Sequence, residues 1–136
     1  MAVDVELLRK VPFLAPLKDR DVKRLAESMR DHTVVAGEEI VTQGEGAIAF
    51  FILLAGEATV TVDGAVQRKL GPGDHFGEIA LVLPDTARTA SVIADTDVQL
   101  GALATWNFRP FVAEHPEVTW PLLETLARRL VDSPGV

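Results

Sequence analysis

Short apolar runs separated by turn-forming residues dominate the middle of the chain. Between residues 32 and 104 these runs are HTVVA, EEIVTQ, AFFILL, EATVTV, AVQRKL, TASVIA and DVQLGALA. Nine of the ten glycines lie in residues 31–104, where they mark turns between the runs. Such regularly spaced short strands are typical of a sandwich, a barrel or a jelly roll, so the pattern predicts a mainly β body over residues 31–104.

One of these turns has a specific sequence signature. Asp63-Gly64 separates TVTV from AVQRKL. A two-residue type I′ turn needs positive φ at both central residues, and Asp-Gly is one of the pairs that accept it. The sequence therefore predicts a β-hairpin at this point.

The N-terminal zone, residues 1–30, has helical spacing instead. Pro12 and Pro16 block one long helix, and Asp19 or Asp21 can cap a second helix. We expect the apolar side chains of this zone to pack against the β body: Leu7, Leu8, Val11, Phe13, Leu14, Val22, Leu25, Ala26 and Met29.

The C-terminal zone, residues 105–136, predicts two further helices, which His115-Pro116 separates. The second, over residues 117–131, places Pro121 near its first turn and has an apolar face of Leu122, Leu123, Leu126, Ala127 and Leu130. Trp106 and Trp120 are expected to pack helices onto the sheet, and an approach of Trp120 to a ligand is the alternative.

The composition fits one domain over all 136 residues, with 48% hydrophobic and 24% charged side chains. The lack of cysteine excludes disulfides, Cys-ligated zinc, iron–sulfur clusters and thiol catalysis. The longest apolar run, residues 47–55, is far shorter than the roughly 20 residues of a spanning helix. The N-terminus lacks the features of a secretory signal. We therefore expect a cytoplasmic protein with no membrane span.

The net charge of −7 is unevenly distributed. Residues 1–30 carry +2, residues 31–104 carry −8 and residues 105–136 carry −1. The middle zone contains only Arg68, Lys69 and Arg88 as basic residues. A nucleic-acid surface would need clustered Lys and Arg, so direct nucleic-acid binding is not expected.

The candidate chemistry lies in residues 71–92, GPGDHFGEIALVLPDTARTASV. Gly77 permits a backbone conformation that is closed to other residues. Residues 78–83 can form a short helix that ends at Pro84. Such a helix start exposes amide N–H groups without intrahelical partners, and these attract an anion such as phosphate.

Arg88 is expected to begin the next strand, and its planar guanidinium can bond two oxygens of a phosphodiester. Thr89 adds a hydroxyl donor, and Ala90 is too small to obstruct a ligand. Glu78 would repel a phosphate, but its carboxylate can accept a hydrogen bond from a sugar hydroxyl of the same ligand. A phosphate beside a ribose hydroxyl describes a cyclic nucleotide.

These residues match known motifs, since residues 76–81 read FGEIAL and residues 88–92 read RTASV. Residues 43–56, QGEGAIAFFILLAG, and residues 70–78, LGPGDHFGE, precede them. The chain thereby resembles the cyclic-nucleotide-binding domain family, which includes catabolite activator proteins and kinase regulatory subunits. The resemblance covers nearly the whole chain, including both helical zones.

The resemblance implies a double-stranded β-helix jelly roll with flanking helices and a phosphate-binding cassette at residues 76–92. It implies that Arg88 and the amides of Gly77, Glu78 and Ala80 bind the cyclic phosphate, and that the Glu78 carboxylate binds the ribose 2′-hydroxyl. The full set of predicted ligand-binding residues is Phe76, Gly77, Glu78, Ile79, Ala80, Arg88, Thr89 and Ala90.

Two positions depart from the family pattern. Ile48 stands where many members carry a polar residue, which we interpret as a packing change. Family members use a long C-terminal helix as a lid over the base, whereas this chain ends shortly after Leu130. The lid is therefore expected to be short, absent or supplied by another chain.

Other classes of protein fit the sequence less well. His32, His75 and His115 are too far apart in sequence for a cupin-type metal site, and no serine lies in a G-x-S-x-G motif. Neither an enzyme nor a metal site is expected. The remaining alternative is a ligand-free interaction module, in which Arg88 would form an ion pair with Glu78 or Asp85.

The sequence favours a regulatory sensor whose ligand selects one arrangement of the C-terminal helices. Cyclic AMP is favoured over cyclic GMP, although Thr89 could bond a guanine amino group. An effector domain or partner protein is expected to receive the signal. A homodimer, and the choice between a stand-alone receptor and a regulatory part of a longer protein, stay open.

Overall fold

The computed structural model describes residues 4–47 and 49–132, and ten short strands in this part of the chain form the β body. The strands are β1 (Arg30–Val34), β2 (Glu39–Val41), β3 (Gly46–Ala47), β4 (Ala49–Ala55), β5 (Ala58–Val62), β6 (Ala65–Leu70), β7 (His75–Phe76), β8 (Thr86–Ala87), β9 (Ser91–Ala94) and β10 (Val98–Ala104). Each of the seven predicted runs overlaps one of these strands. The three additional strands, β3, β7 and β8, have only two residues each.

All strand pairs are antiparallel and form three sheets. One sheet has the order β1-β10-β4-β7, a second has β2-β9-β5-β6, and β3 pairs with β8. The predicted hairpin is confirmed, because β5 and β6 meet at Val62 and Ala65 across Asp63 (φ 52°) and Gly64 (φ 81°).

Helical segments flank the strands at both ends of the described chain. They are α1 (Val5–Leu8), a 3₁₀ turn at Pro12–Leu14, α2 (Asp19–Ser28), α3 (Ile79–Val82), α4 (Thr105–Glu114), a 3₁₀ turn at Pro116–Val118 and α5 (Thr119–Asp132). This arrangement confirms the mainly β fold with flanking helices. None of these helices is both long and apolar enough to cross a membrane.

Within the described residues, the buried side chains form two separate clusters. One lies between the two four-stranded sheets and includes Leu53, Leu70, Phe76, Val92 and Leu100. The other joins the N-terminal and C-terminal helices to the outer face of β4 and β10. Every predicted N-terminal core residue is buried there except Leu7, which is half-buried. The helices therefore share one hydrophobic core, separate from the interior of the β body.

The predicted cap of α2 is wrong. Lys18 occupies the N-cap position without a side-chain hydrogen bond, and Asp19 and Asp21 lie in the first turn. The Asp19 carboxylate instead accepts a hydrogen bond of 2.9 Å from Nε of Arg9. An acidic first turn still interacts favourably with the helix dipole.

The predicted packing of both tryptophans is also wrong, since Trp106 is 62% exposed and Trp120 is 70% exposed. In α4 the buried aromatic side chains are Phe108 and Phe111, and Trp106 lies well over 90° around the helix from each of them at 100° per residue. The predicted apolar face of α5 is largely exposed too, because only Leu122 is buried. The α5 surface therefore has apolar side chains with no cover in the described residues.

Candidate functional site

Gly77 and Arg88 meet at the centre of the predicted cassette. Gly77 has φ +87°, a left-handed conformation that side chains with a Cβ rarely adopt. A Cβ at Gly77 would lie 2.6 Å from Nη1 of Arg88 and 2.9 Å from the Ala49 carbonyl oxygen. Glycine is thus required both for the backbone conformation and for the close approach of the guanidinium.

Two contacts orient the Arg88 guanidinium. Its Nη2 donates to the Ala49 carbonyl over 2.9 Å, and its Cζ lies 5.7 Å from the centre of the Phe51 ring. The Arg88 backbone bonds Gly44 and Glu45, in the turn before β3. Arg88 lies between β8 and β9, so the prediction that it begins a strand is wrong; β9 starts at Ser91.

The Arg88 side chain forms no ion pair within the described residues. The structure therefore contradicts the alternative in which Arg88 forms an ion pair with Glu78 or Asp85. Burial lowers the pKa of Arg88, and the negative charge of Glu78 opposes that shift. A guanidinium remains protonated in proteins despite such shifts, so a half-buried positive charge stands beside the Gly77 backbone.

The short helix of the cassette covers fewer residues than the predicted range of 78–83. It covers Ile79–Val82, and the Ala80 amide donates to the Gly77 carbonyl over 3.1 Å. The hydroxyl of Thr105, at the start of α4, donates to the Ala80 carbonyl. The predicted use of the Ala80 amide by a phosphate would therefore require this N–H to be shared with Gly77 or released from it.

The Glu78 carboxylate is only 2% exposed, and its two oxygens have different partners. Nδ1 of His75 bonds Oε1, and Nη1 of Arg129 donates to Oε2 over 2.5 Å. Burial alone would raise the pKa of Glu78, but the hydrogen bond from His75 and the charges of His75 and Arg129 lower it to about 2. Glu78 is thus an ionised, hydrogen-bonded carboxylate at neutral pH.

Arg88 and Glu78 line two connected parts of one groove, which we call its inner part and its mouth. The inner part is lined by Phe76, Gly77, Ile79, Ala80, Arg88, Thr89 and Ala90, and Glu78 lines the mouth. The structure therefore brings all eight predicted residues together around one groove. Both parts share Val60, Arg68, Thr89, Ala90 and Arg129, which makes them continuous.

Helix α5 supplies part of the wall of this groove through Thr125, Arg129 and Asp132. Of the three expectations for the lid, which were short, absent or supplied by another chain, this placement argues against an absent one, because this chain's own helix reaches the mouth. Trp120, considered as a base contact, is not among the lining residues. Ile48 lies outside the described residues.

Sequence reasoning did not single out Arg129, His75 or Arg68. Arg129 is 51 positions from Glu78, and helical spacing alone does not indicate which of two adjacent arginines faces the cassette. His75 was considered only as a metal ligand, although its position three residues before Glu78 could have suggested a contact. The described residues contain no group of three or more His, Asp or Glu side chains able to hold a metal ion.

The profile of the cyclic nucleotide-binding domain matches residues 31–115, which is more than half of the chain. The protein belongs to this family. The match includes α4 and all of the β body except Arg30, the first residue of β1, and it ends before α5.

Individual relatives agree with this assignment. The cAMP-dependent protein kinase regulatory subunit of Yarrowia lipolytica is 36% identical over 104 residues, which are 75% of this chain and 28% of that subunit. The catabolite activator protein of Thermus thermophilus superimposes with a TM-score of 0.79 at 28% identity, covering 89% of this chain and 59% of that chain. The structure of cAMP-bound PfPKA-R gives a TM-score of 0.78 at 26% identity, covering 94% of this chain and 43% of that chain. This chain spans about a quarter of the length of its curated relatives.

Proposed function

We propose that this domain is a regulatory sensor that binds a cyclic nucleotide, cAMP in preference to cGMP, in the groove between the cassette and α5. The observation that carries the proposal is the Arg88 guanidinium, which is half-buried beside Gly77 and has no carboxylate partner among the described residues. A half-buried positive charge without an ion-pair partner is costly, so an anionic ligand would compensate it.

The two charged ends of the groove fit the two polar parts of the ligand. Arg88 would bond the exocyclic oxygens of the cyclic phosphate, and Thr89 and the amides near Gly77 would add neutral donors. The Glu78 carboxylate would accept a hydrogen bond from the ribose 2′-hydroxyl at the mouth. Phe76, Ile79, Ala80 and Ala90 would supply the apolar contacts around the sugar and phosphate.

The choice of cAMP rests on relatives. The Yarrowia relative is a cAMP-dependent kinase regulatory subunit, and the PfPKA-R structure has cAMP bound. The mouth also contains Gln67, Arg68 and Thr89, whose donors could serve either purine.

The signal would pass through α5. Arg129 joins this helix to Glu78, and Thr125 and Asp132 line the same mouth. A nucleotide that contacts Glu78 and these α5 residues would stabilise one placement of α5 over others, and its differential affinity limits the shift. An effector domain or a partner protein would detect that placement.

Thermal unfolding with three nucleotides tests the proposal. Cyclic AMP at a hundredfold excess over Kd should stabilise the fold by about 2.7 kcal/mol, a rise of roughly 5–10 °C in Tm for a domain of this size. Cyclic GMP should raise Tm less at equal concentration. Linear 5′-AMP should do much less than either, because its unconstrained dianionic phosphate does not match a site for a cyclic monoanion.

Calorimetry would confirm the stoichiometry and the order of affinity. Equal shifts from cAMP and 5′-AMP would remove the cyclic-phosphate assignment, and no shift from any nucleotide would favour the ligand-free interaction module. A larger shift with cGMP than with cAMP would reverse the choice of base.

A further inference from the structure

His75 is held more rigidly than its position on a two-residue strand suggests. It lies on β7 opposite Ile52 of β4, and its side chain is 18% exposed. Its ring centre lies 5.6 Å from that of Phe50 and 6.4 Å from that of Phe13, both fully buried. Because β4 and the N-terminal helices fix these two rings, the imidazole has little freedom to rotate.

This fixed ring donates to Glu78. The ionised Glu78 carboxylate can only accept hydrogen bonds, so Nδ1 of His75 carries the proton in the contact with Oε1. The second oxygen depends on Arg129, which lies on α5 and has a side chain that is 39% exposed. One partner of the carboxylate is thus part of the β body, and the other is on the helix proposed to move.

We propose that His75 is a positioning residue for nucleotide binding, which holds the Glu78 carboxylate in the rotamer that accepts the ribose 2′-hydroxyl. This inference rests on the proposed function. His75 keeps the carboxylate in place in either arrangement of α5, so the ribose end of the site is formed before α5 moves. Arg129 alone would leave Glu78 aligned only when α5 is against the cassette.

The test compares two variants with two nucleotides. His75→Phe keeps an aromatic ring against Phe13 and Phe50 and removes the donor, whereas His75→Asn keeps an N–H donor at the position of Nδ1. Affinities are measured by calorimetry for cAMP and for 2′-deoxy-cAMP. In the wild type the deoxy nucleotide should bind at least about tenfold more weakly, as expected for loss of a hydrogen bond to a charged group.

In His75→Phe the ratio of the two affinities should fall at least about threefold, through weaker binding of cAMP and little change for the deoxy nucleotide. His75→Asn should keep most of the ratio. Equal weakening of both nucleotides would show that His75 only supports the fold, and unchanged affinities for both would show that Glu78 needs no help; either result overturns the proposal. His75→Leu repeats the donor deletion if His75→Phe does not fold.

Two controls separate this inference from the function on which it rests. Glu78→Gln should itself reduce the ratio; if it does not, Glu78 does not bind the ribose and the proposed function is wrong at that point. If Glu78→Gln reduces the ratio and His75→Phe does not, only the inference about His75 fails. His32→Phe, on the exposed strand β1, should leave both affinities unchanged.

Discussion

The two charged ends of the groove are built in opposite ways. At the inner end, Arg88 has a carbonyl and an aromatic ring as its neighbours and no carboxylate partner among the described residues. At the mouth, Glu78 is almost fully buried and bonds both His75 and Arg129. The protein thus satisfies the negative charge itself and leaves the positive charge available to an anion.

This difference has a consequence for binding. A phosphate that reaches Arg88 would not have to break an internal ion pair, so the full attraction would contribute to affinity. A hydroxyl that reaches Glu78 would join an existing network and add one hydrogen bond to it. We therefore expect the inner end to dominate affinity, and the mouth to contribute less to affinity and more to the stability of α5.

The largest expected effect is the loss of the Arg88 guanidinium. Arg88→Leu should weaken cAMP binding by more than about a hundredfold, because two charge-assisted hydrogen bonds of about 1.5–3 kcal/mol each are lost. Arg88→Lys keeps the charge without the bidentate geometry and should cost at least about tenfold. Calorimetry gives both affinities, and urea unfolding of the nucleotide-free variants should show little loss of stability.

Arg24→Leu is the matched control, since it removes one arginine from the exposed face of α2. It should bind cAMP like the wild type. If Arg88→Leu keeps its affinity, or if it loses stability without a nucleotide as much as it loses binding, the contrast between the two ends does not exist.

Much of the fold was predictable because local chemistry determines it. Asp63-Gly64 specifies its turn through positive φ, and strand β6 occurs where AVQRKL was predicted. The two-residue strands β7 and β8 could not be predicted, since pairing with distant strands, and not a periodic pattern, defines them. Trp106 was misplaced because helical spacing shows which residues share a face, but not which face is buried.

The candidate site likewise has one part that the sequence predicts and another that depends on tertiary packing. Gly77 and Arg88 were predictable because a glycine before a short helix and one of only three basic residues in the acidic middle zone are visible in the sequence. Arg129 was not, since only the packing of α5 on the Pro12–Leu14 turn, with Leu122 buried in the shared core, brings it to Glu78. The spacing of His75 and Glu78 could have suggested their contact, whereas the rings of Phe13 and Phe50 that pack against His75 come from separate elements and could not be predicted.

A smaller effect should appear at low pH, in the stability that Glu78 contributes at the mouth of the groove. The pKa of Glu78 is lowered from 4.5 to about 2 in the fold, so the stability it contributes is present above about pH 4.5 and is lost as the pH falls towards 2. Between pH 7 and pH 3 this loss amounts to about 2 kcal/mol of unfolding free energy. The Glu78→Gln variant has no titrating group at this position. Its unfolding free energy should therefore fall by about 2 kcal/mol less than that of the wild type between pH 7 and pH 3.

Urea unfolding at pH 7 and pH 3 measures this difference. Glu27→Gln removes an exposed carboxylate from α2 and should follow the wild type. A Glu78→Gln variant with the same acid sensitivity as the wild type would mean that Glu78 is not held as an ion by His75 and Arg129.

The smallest expected effect is the loss of Arg129, which belongs to the mouth and to α5. Arg129→Met should weaken cAMP binding by less than about tenfold, because the Arg129 side chain is 39% exposed and His75 still bonds the buried Glu78 carboxylate without it. Its effect on α5 should be clearer: amides of α5 should exchange faster, and cAMP should protect them less than in the wild type. Arg128→Met is the matched control, since Arg128 is the adjacent residue, is exposed and does not line the groove. Equal amide exchange in the two variants would mean that Arg129 does not couple α5 to the cassette. A loss of affinity as large as that of Arg88→Leu would place the main anion contact at the mouth.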